Sequence, residues 1–278
     1  MMLSQEKEKD MIQMDEKITM KGCCSSAEKL KEYLRQKALA HNSYKCYSQI
    51  ERIRSIVQDK VLYLNDGRGW NDITDRTNFR KDGKDRVNFG KCFSFSQDEN
   101  VAMWMLYGGI HHMGAMVDFT RMGINNILKT SSIELGYFEN GQFCSVETIE
   151  RPDFEMWVTD IVYCNEKTRY LKRSDETCTN VEQSVLDQLG AVRKAYPWNY
   201  ENECRLIVSV HMNAVPEKCD TVKIDLSMID LGKSLARAYY CPSYQGKQEE
   251  GFQESALNRT IDWDLRDKRC KACKVLEG

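Results

Sequence analysis

Hydrophobic positions recur in two rhythms along this chain. Leu30, Tyr33, Leu34 and Ala38 fall three and four apart behind Ser25-Ser26-Ala27-Glu28, a capping-box pattern, and the spacing predicts a helix from Ser26 to Ala40. Ile50, Ile53, Ile56 and Val57 give a second helix one apolar face, with Ser48-Gln49-Ile50-Glu51 as its expected cap. A third capping box, Ser96-Gln97-Asp98-Glu99, opens a helix through Met103, Trp104 and Tyr107 that Gly108-Gly109 ends. A further helix is expected near Val181–Ala195.

Between these segments the rhythm is that of strands. Val61-Leu62-Tyr63-Leu64 reads as a short strand closed by Asn65-Asp66-Gly67 turn chemistry. Lys91 to Ser96 alternates, with Ser94 and Ser96 on one face and Phe93 and Phe95 on the other. Gly114 to Phe119, Ile161 to Cys164, Glu203 to Val210, Val222 to Leu226 and Ala238 to Cys241 are the other strand candidates. The Gly-, Asp- and Arg-rich stretch from Asp66 to Lys91 reads as a loop. Strands separated by irregular helices and long loops predict an α+β fold: a mixed or antiparallel central sheet with a cleft and flanking helices. The expected division is a polar leader and helix over residues 1–40, then a single α+β domain over 41–278.

Composition narrows the classes. In 278 residues Lys and Arg total 40 and Asp and Glu 42, a net charge of −2, which argues against a general nucleic-acid binder. There is no GxGxxG and no GxxxxGK[ST], hence no Rossmann or P-loop signature. The charged N-terminal stretch lacks a signal-peptide core, and no run approaches the ~18 apolar residues of a membrane span. The expectation is a cytoplasmic, reducing location with no membrane partner, where the twelve cysteines act mostly as small apolar thiols. Cys270 and Cys273 form a lone CxxC without the second pair a zinc site needs, so no metal is expected.

Four clusters can carry chemistry. Ser43-Tyr44-Lys45-Cys46-Tyr47-Ser48 sets a cation between aromatics; the plainer reading is a short strand with a helix cap. Trp70-Asn71-Asp72-Ile73-Thr74-Asp75-Arg76 follows the first strand, either as turn residues or as a ligand mouth. Ser94 stands on the polar face of its strand, and Trp104 and Tyr107 are three apart on a helix, where core packing is the plain reading. The sharpest is Trp198-Asn199-Tyr200-Glu201-Asn202-Glu203-Cys204-Arg205. Period-two geometry places Glu201, Glu203 and Arg205 on one face beneath an aromatic frame, either as a solvated edge or as a carboxylate pair with Arg205 in support. His41, His111, His112 and His211 sit in no nucleophile motif.

Taken in order, these clusters resemble the bacterial domain-of-unknown-function 2971 family. The matching elements are Tyr44-Lys45-Cys46-Tyr47-Ser48, Trp70-Asn71-Asp72, Cys92-Phe93-Ser94, Met103-Trp104-Met105-Leu106-Tyr107, and the Trp-x-x-Glu-x-Glu-x-Arg run of Trp198, Glu201, Glu203 and Arg205. The order of motifs is also similar to that of mono-ADP-ribosyltransferases, with Lys45 standing where Arg or His is expected.

That second resemblance implies an ADP-ribosyltransferase-like fold and NAD as substrate. The oxocarbenium-like chemistry would be supported by Glu203, and Glu201 would orient or deprotonate the acceptor. It further implies Lys45, Tyr47, Asn71, Asp72, Ser94, Trp198 and Tyr200 as NAD contacts, with Lys45 on the diphosphate and Ser94 bracing Glu203. Arg205 and Trp104 would lend support. The acceptor would be protein, nucleic acid or water, and the setting a phage-defence or toxin system with an antitoxin or defence partner. Two other readings stand beside it. One is a non-enzymatic nucleotide- or protein-binding module of a defence cassette. The other is a metal-dependent nuclease built on Asp72, Glu201 and Glu203.

Overall fold

The computed structural model describes residues 19–70, 72–81, 85–108, 113–242 and 244–259. Its strands are β1 (Ser43–Gln49), β2 (Val61–Asn65), β3 (Arg86–Ser94), β4 (Gly114–Thr120), β5 (Ser132–Glu139), β6 (Gln142–Glu150) and β7 (Phe154–Asp160). They continue as β8 (Val162–Asn165), β9 (Tyr170–Arg173), β10 (Glu176–Cys178), β11 (Arg193–Ala195), β12 (Glu203–His211), β13 (Thr221–Asp225) and β14 (Leu235–Tyr240). The helices that matter below are α1 (Met20–Cys23), α2 (Ala27–Leu39), α3 (Ile50–Val57) and α4 (Ile73–Lys81). The fold is α+β around a large, mostly antiparallel sheet, as the strand spacing predicts.

The main sheet runs β14-β4-β1-β3-β2-β13-β5-β6, and β12 pairs with both β3 and β7. β12 is buried from Glu203 to Val210, because strands cover both its edges and its faces meet two packed layers. One layer is the principal core, where Tyr44, Phe89, Phe93, Phe119, Leu206 and Val208 meet the apolar face of α3. A smaller sheet, β10-β9-β8-β11, adjoins it, and in it β11 runs parallel to β8.

A second core lies under that smaller sheet. Met20, Leu30 and Leu34 pack there against Val162, Leu171, Val185, Leu186 and Val192. The segment expected as a separate leader over 1–40 is therefore, from Met20 onward, part of this core. Cys24 is joined to Cys178 by a disulfide, whereas Cys23, Cys46, Cys92, Cys144, Cys164, Cys204, Cys219 and Cys241 are thiols. Leu34 is fully buried, so Leu34→Ala should destabilise the protein by about 2–5 kcal/mol in urea unfolding.

Several local expectations change. Ser26 does cap α2, its side chain accepting from the Lys29 N–H. Ser48 caps nothing: it lies inside β1, and α3 starts after Gln49 without a side-chain cap. Asn100, not Ser96, caps the next helix, accepting from Ala102 and Met103. That helix spans only Val101–Met103 before a wide π turn over Trp104–Gly108. The expected loop 66–91 contains α4, and β3 begins at Arg86. The expected helix near 181–195 breaks into Gln183–Asp187, a single turn at Gly190–Val192, and β11. No described helix is long and apolar enough to cross a membrane. His111, His112, Cys270 and Cys273 lie outside the described residues.

Candidate functional site

β3 opens the cleft. Along one edge it pairs with β12 over its whole length. On the other edge it meets β1 only at Ser94 and β2 only at Gly90, so Lys91–Phe93 have no strand partner there. The gap between β1 and β2 becomes a cleft of about 460 Å3, a size suited to a small ligand. Lys45 and Tyr47, Trp70 and Asp75, Cys92, Met103 and Tyr107, and Lys194, Glu201 and Glu203 all line it. Gly90 lets its wall close: a Cβ there would sit 2.8 Å from Phe79 Cζ. A larger groove, about 1320 Å3, runs along α2 from Thr19 to Gln36, and none of the sequence-derived site residues lines it.

Five ionisable groups meet at the cleft's inner end. Lys194 Nζ donates to Glu201 Oε2 at 2.5 Å and to Glu203 Oε2 at 3.0 Å, and lies 3.8 Å from Asp75 Oδ2. Arg205 donates from Nε to Glu203 Oε1 at 2.5 Å, from Nη2 to Asp75 Oδ2 at 2.6 Å, and from Nη1 to the Ala191 carbonyl at 3.2 Å. Its guanidinium lies 4.7 Å from the centre of the Trp70 ring. Tyr107 donates to the second oxygen of Glu201 at 2.7 Å, because the π turn swings its side chain toward the cleft.

Three carboxyl groups face two cations, leaving one negative charge in excess in a site where every member is at most 7 % exposed. The excess is relieved by a proton, and Glu201 is where it resides. Burial and then the neighbouring Glu203 charge push the Glu201 carboxyl up to about 7, against the pull of Lys194. Burial would raise Glu203 too, but Arg205 and Lys194 together outweigh it and hold that carboxyl well below the usual range. Burial would lower Lys194, yet Glu203 and Glu201 keep it charged. Asp75 is raised by burial against Arg205, and its Oδ1 has no hydrogen-bond partner.

The raised Glu201 carboxyl links stability to pH. Glutamate in an unfolded chain titrates near pH 4.3, well below Glu201 in the fold. Its contribution is fully present below about pH 4.3 and is lost as pH rises through about 7, a loss of roughly 4 kcal/mol. Urea unfolding across that range should therefore show the wild type losing about 4 kcal/mol more than Glu201→Gln.

The other residues singled out from sequence fall in different places. Lys45, Ser94 and Glu203 form one row, as cross-strand partners on β1, β3 and β12. The Lys45 ammonium is nevertheless occupied, donating to Ser43 Oγ and the Ser96 carbonyl at 2.6 Å each and to Gln97 O at 3.1 Å, with Asp118 at 3.6 Å. Those bonds tie β1 to the loop after β3. Ser94 donates to the Glu201 carbonyl at 2.7 Å, so it braces the turn that carries Glu201 and not the Glu203 carboxylate. Glu201 itself ends a 3-10 turn over Tyr196–Glu201 and precedes β12. Asn202, in the left-handed region at φ 44°, makes the corner that brings both carboxylates onto Lys194.

Asp72 does not line the cleft: its Oδ1 accepts from the Thr74 and Asp75 N–H groups and caps α4. Asn71 lies outside the described residues. The Tyr47 hydroxyl accepts from the Asn100 N–H, and its ring packs edge-on against Trp104. Trp104 is fully buried and donates to Glu99, a structural place away from the cleft wall. Trp198 is half-buried with Lys194 Nζ 4.9 Å from its ring centre, and Tyr200 packs beside it. Asp75, Lys194 and Tyr107 complete the cluster: Asp75 and Tyr107 fall inside the second and third sequence clusters without being singled out as site residues, and Lys194 falls in none. Among the described residues no group of three or more His, Cys, Asp or Glu could hold a metal ion, and the nuclease set of Asp72, Glu201 and Glu203 is not brought together. Comparison of the chain with protein-family models, with curated proteins and with solved structures finds no match in any of the three.

Proposed function

We propose that the cleft binds a nucleotide and that the protein transfers or hydrolyses an N-glycosidic bond, with NAD as substrate and Glu201 as the group that handles the proton. The observation carrying the reading is the Glu201 carboxyl, which lines the cleft with Tyr107 on one oxygen and Lys194 on the other and titrates at about 7. A carboxyl poised near neutral pH is matched to general acid–base work. The NAD assignment, an ADP-ribosyltransferase-like architecture, and a toxin or phage-defence role in the cytoplasm rest on the motif resemblance.

In this reading the bond between ribose C1′ and nicotinamide breaks, and nicotinamide leaves with the bonding pair. Water, or an O–H or N–H acceptor on a macromolecule, closes on C1′ and gives its proton to ionised Glu201. The same carboxylate charge stabilises the oxocarbenium-like state. Glu203 acts as a positioning residue: it holds Lys194 and Arg205, which in turn hold Glu201 and Asp75. Glu201 thus keeps the acceptor-deprotonating role that motif order implies, and the stabilisation of the cation passes to it from Glu203.

Incubating the purified protein with NAD labelled in the ADP-ribose part, with and without cell lysate, tests the proposal. Released nicotinamide with free or macromolecule-bound label supports it; intact NAD overturns it. One observation favours a second reading, the non-enzymatic nucleotide-binding module: both Glu203 oxygens are already taken by Arg205 and Lys194. Bound NAD recovered unchanged would favour that module.

A further inference from the structure

The charged groups along the cleft are not evenly shared. The inner end holds the cluster with one excess negative charge, relieved by a proton near neutral pH. Arg52, on the exposed side of α3, and half-buried Lys91, which pairs with Leu206 of β12 and so stands on the sheet face opposite Glu203 and Arg205, also line the cleft. Among the described residues neither side chain makes a hydrogen bond or an ion pair. Two unneutralised cations and a cluster rich in carboxyl groups thus bound the same space. Asp75 adds an unpaired acceptor, Oδ1, on the carboxyl-rich side.

Such a cleft orients a ligand by charge. An electron-poor, hydrogen-donating end is favoured beside Glu201 and Asp75, and an anionic end beside Arg52 and Lys91. We propose that Arg52 and Lys91 form the phosphate subsite of the cleft and dock the diphosphate of a nucleotide ligand with its glycosidic end turned inward. The inference rests on the nucleotide reading above and moves the diphosphate contact from Lys45, whose ammonium is occupied, to two residues outside every motif. Guanidinium and ammonium groups suit phosphate oxygens through charge-assisted hydrogen bonds.

Calorimetric titration of the full chain with ADP, ADP-ribose and adenosine tests it. ADP and ADP-ribose should bind at least about tenfold more tightly than adenosine. Arg52→Gln and Lys91→Gln should each weaken ADP about tenfold and leave adenosine unchanged, and Arg52→Lys and Lys91→Arg should recover much of the loss. Wild-type protein that binds ADP no better than adenosine, or a double glutamine variant that binds ADP like wild type, overturns the subsite. A short RNA that binds more tightly than ADP through the same two residues also overturns it. Failure of the catalytic reading is read separately: ADP binding that depends on Arg52 and Lys91 without nicotinamide release keeps the subsite and removes the chemistry.

Discussion

Arg205→Met is expected to destabilise the protein by about 3–5 kcal/mol, a large part of the net stability of a typical domain. The guanidinium is fully buried and its donors point three ways, to Glu203, to Asp75 and to the Ala191 carbonyl. Methionine keeps most of the volume but leaves three buried carboxyl groups facing one ammonium, two of them, Glu203 and Asp75, without their guanidinium, and it removes a donor to the Ala191 carbonyl. The pair must then take up protons or water, and either costs the packing of Trp70 and Phe79 against the strand. Arg205→Lys should recover only a fraction, because one ammonium cannot bridge three acceptors in a plane. Chemical unfolding of both variants beside wild type measures the effect, and an Arg205→Met protein within about 1 kcal/mol of wild type would remove the network from the account of the fold.

Glu201→Gln is expected to lower the rate of nicotinamide release by roughly 10²–10⁴, the usual contribution of a positioned proton acceptor. The amide keeps the shape, with its oxygen accepting from Lys194 and its NH2 donating to the Tyr107 hydroxyl, so the turn over Tyr196–Glu201 should stand. It can take no proton and offers no charge to C1′. The substitution also removes the group that carries the excess proton, so the variant should be as stable as wild type or more stable above pH 7. Slow turnover in a protein that melts no earlier than wild type separates a chemical role from a structural one.

The legible parts of this protein were those with a local signal. α2 is marked by Ser26, Leu30 and Leu34 at helical spacing, and β12 by its run of Leu206, Ile207 and Val208. The Glu201/Glu203/Arg205 grouping was visible as alternation, although Glu201 reaches the cluster from a 3-10 turn and not from the strand. Asp75 falls inside the Trp70–Arg76 cluster but does not stand out in it, because α4 lies in a segment crowded with Gly, Asp and Arg. Its signal was Asp72 followed by Asp75, an N-cap and a first-turn acid, easily read as turn chemistry. Lys194 had no local signal: it sits on a three-residue strand whose existence depends on pairing with β8. Tyr107 was assigned to the core, and only the π turn aims its hydroxyl at Glu201.

The central claim is that Glu201 trades a proton in the cleft near neutral pH. The direct measurement is the pH dependence of kcat/KM for nicotinamide release from NAD by the wild-type protein and by Glu201→Gln. The account predicts a wild-type rate that rises with pH through an apparent pKa of about 7 and a variant that is slow and flat across the same range. A wild-type profile without that limb, or a variant that retains both the rate and the limb, would contradict it.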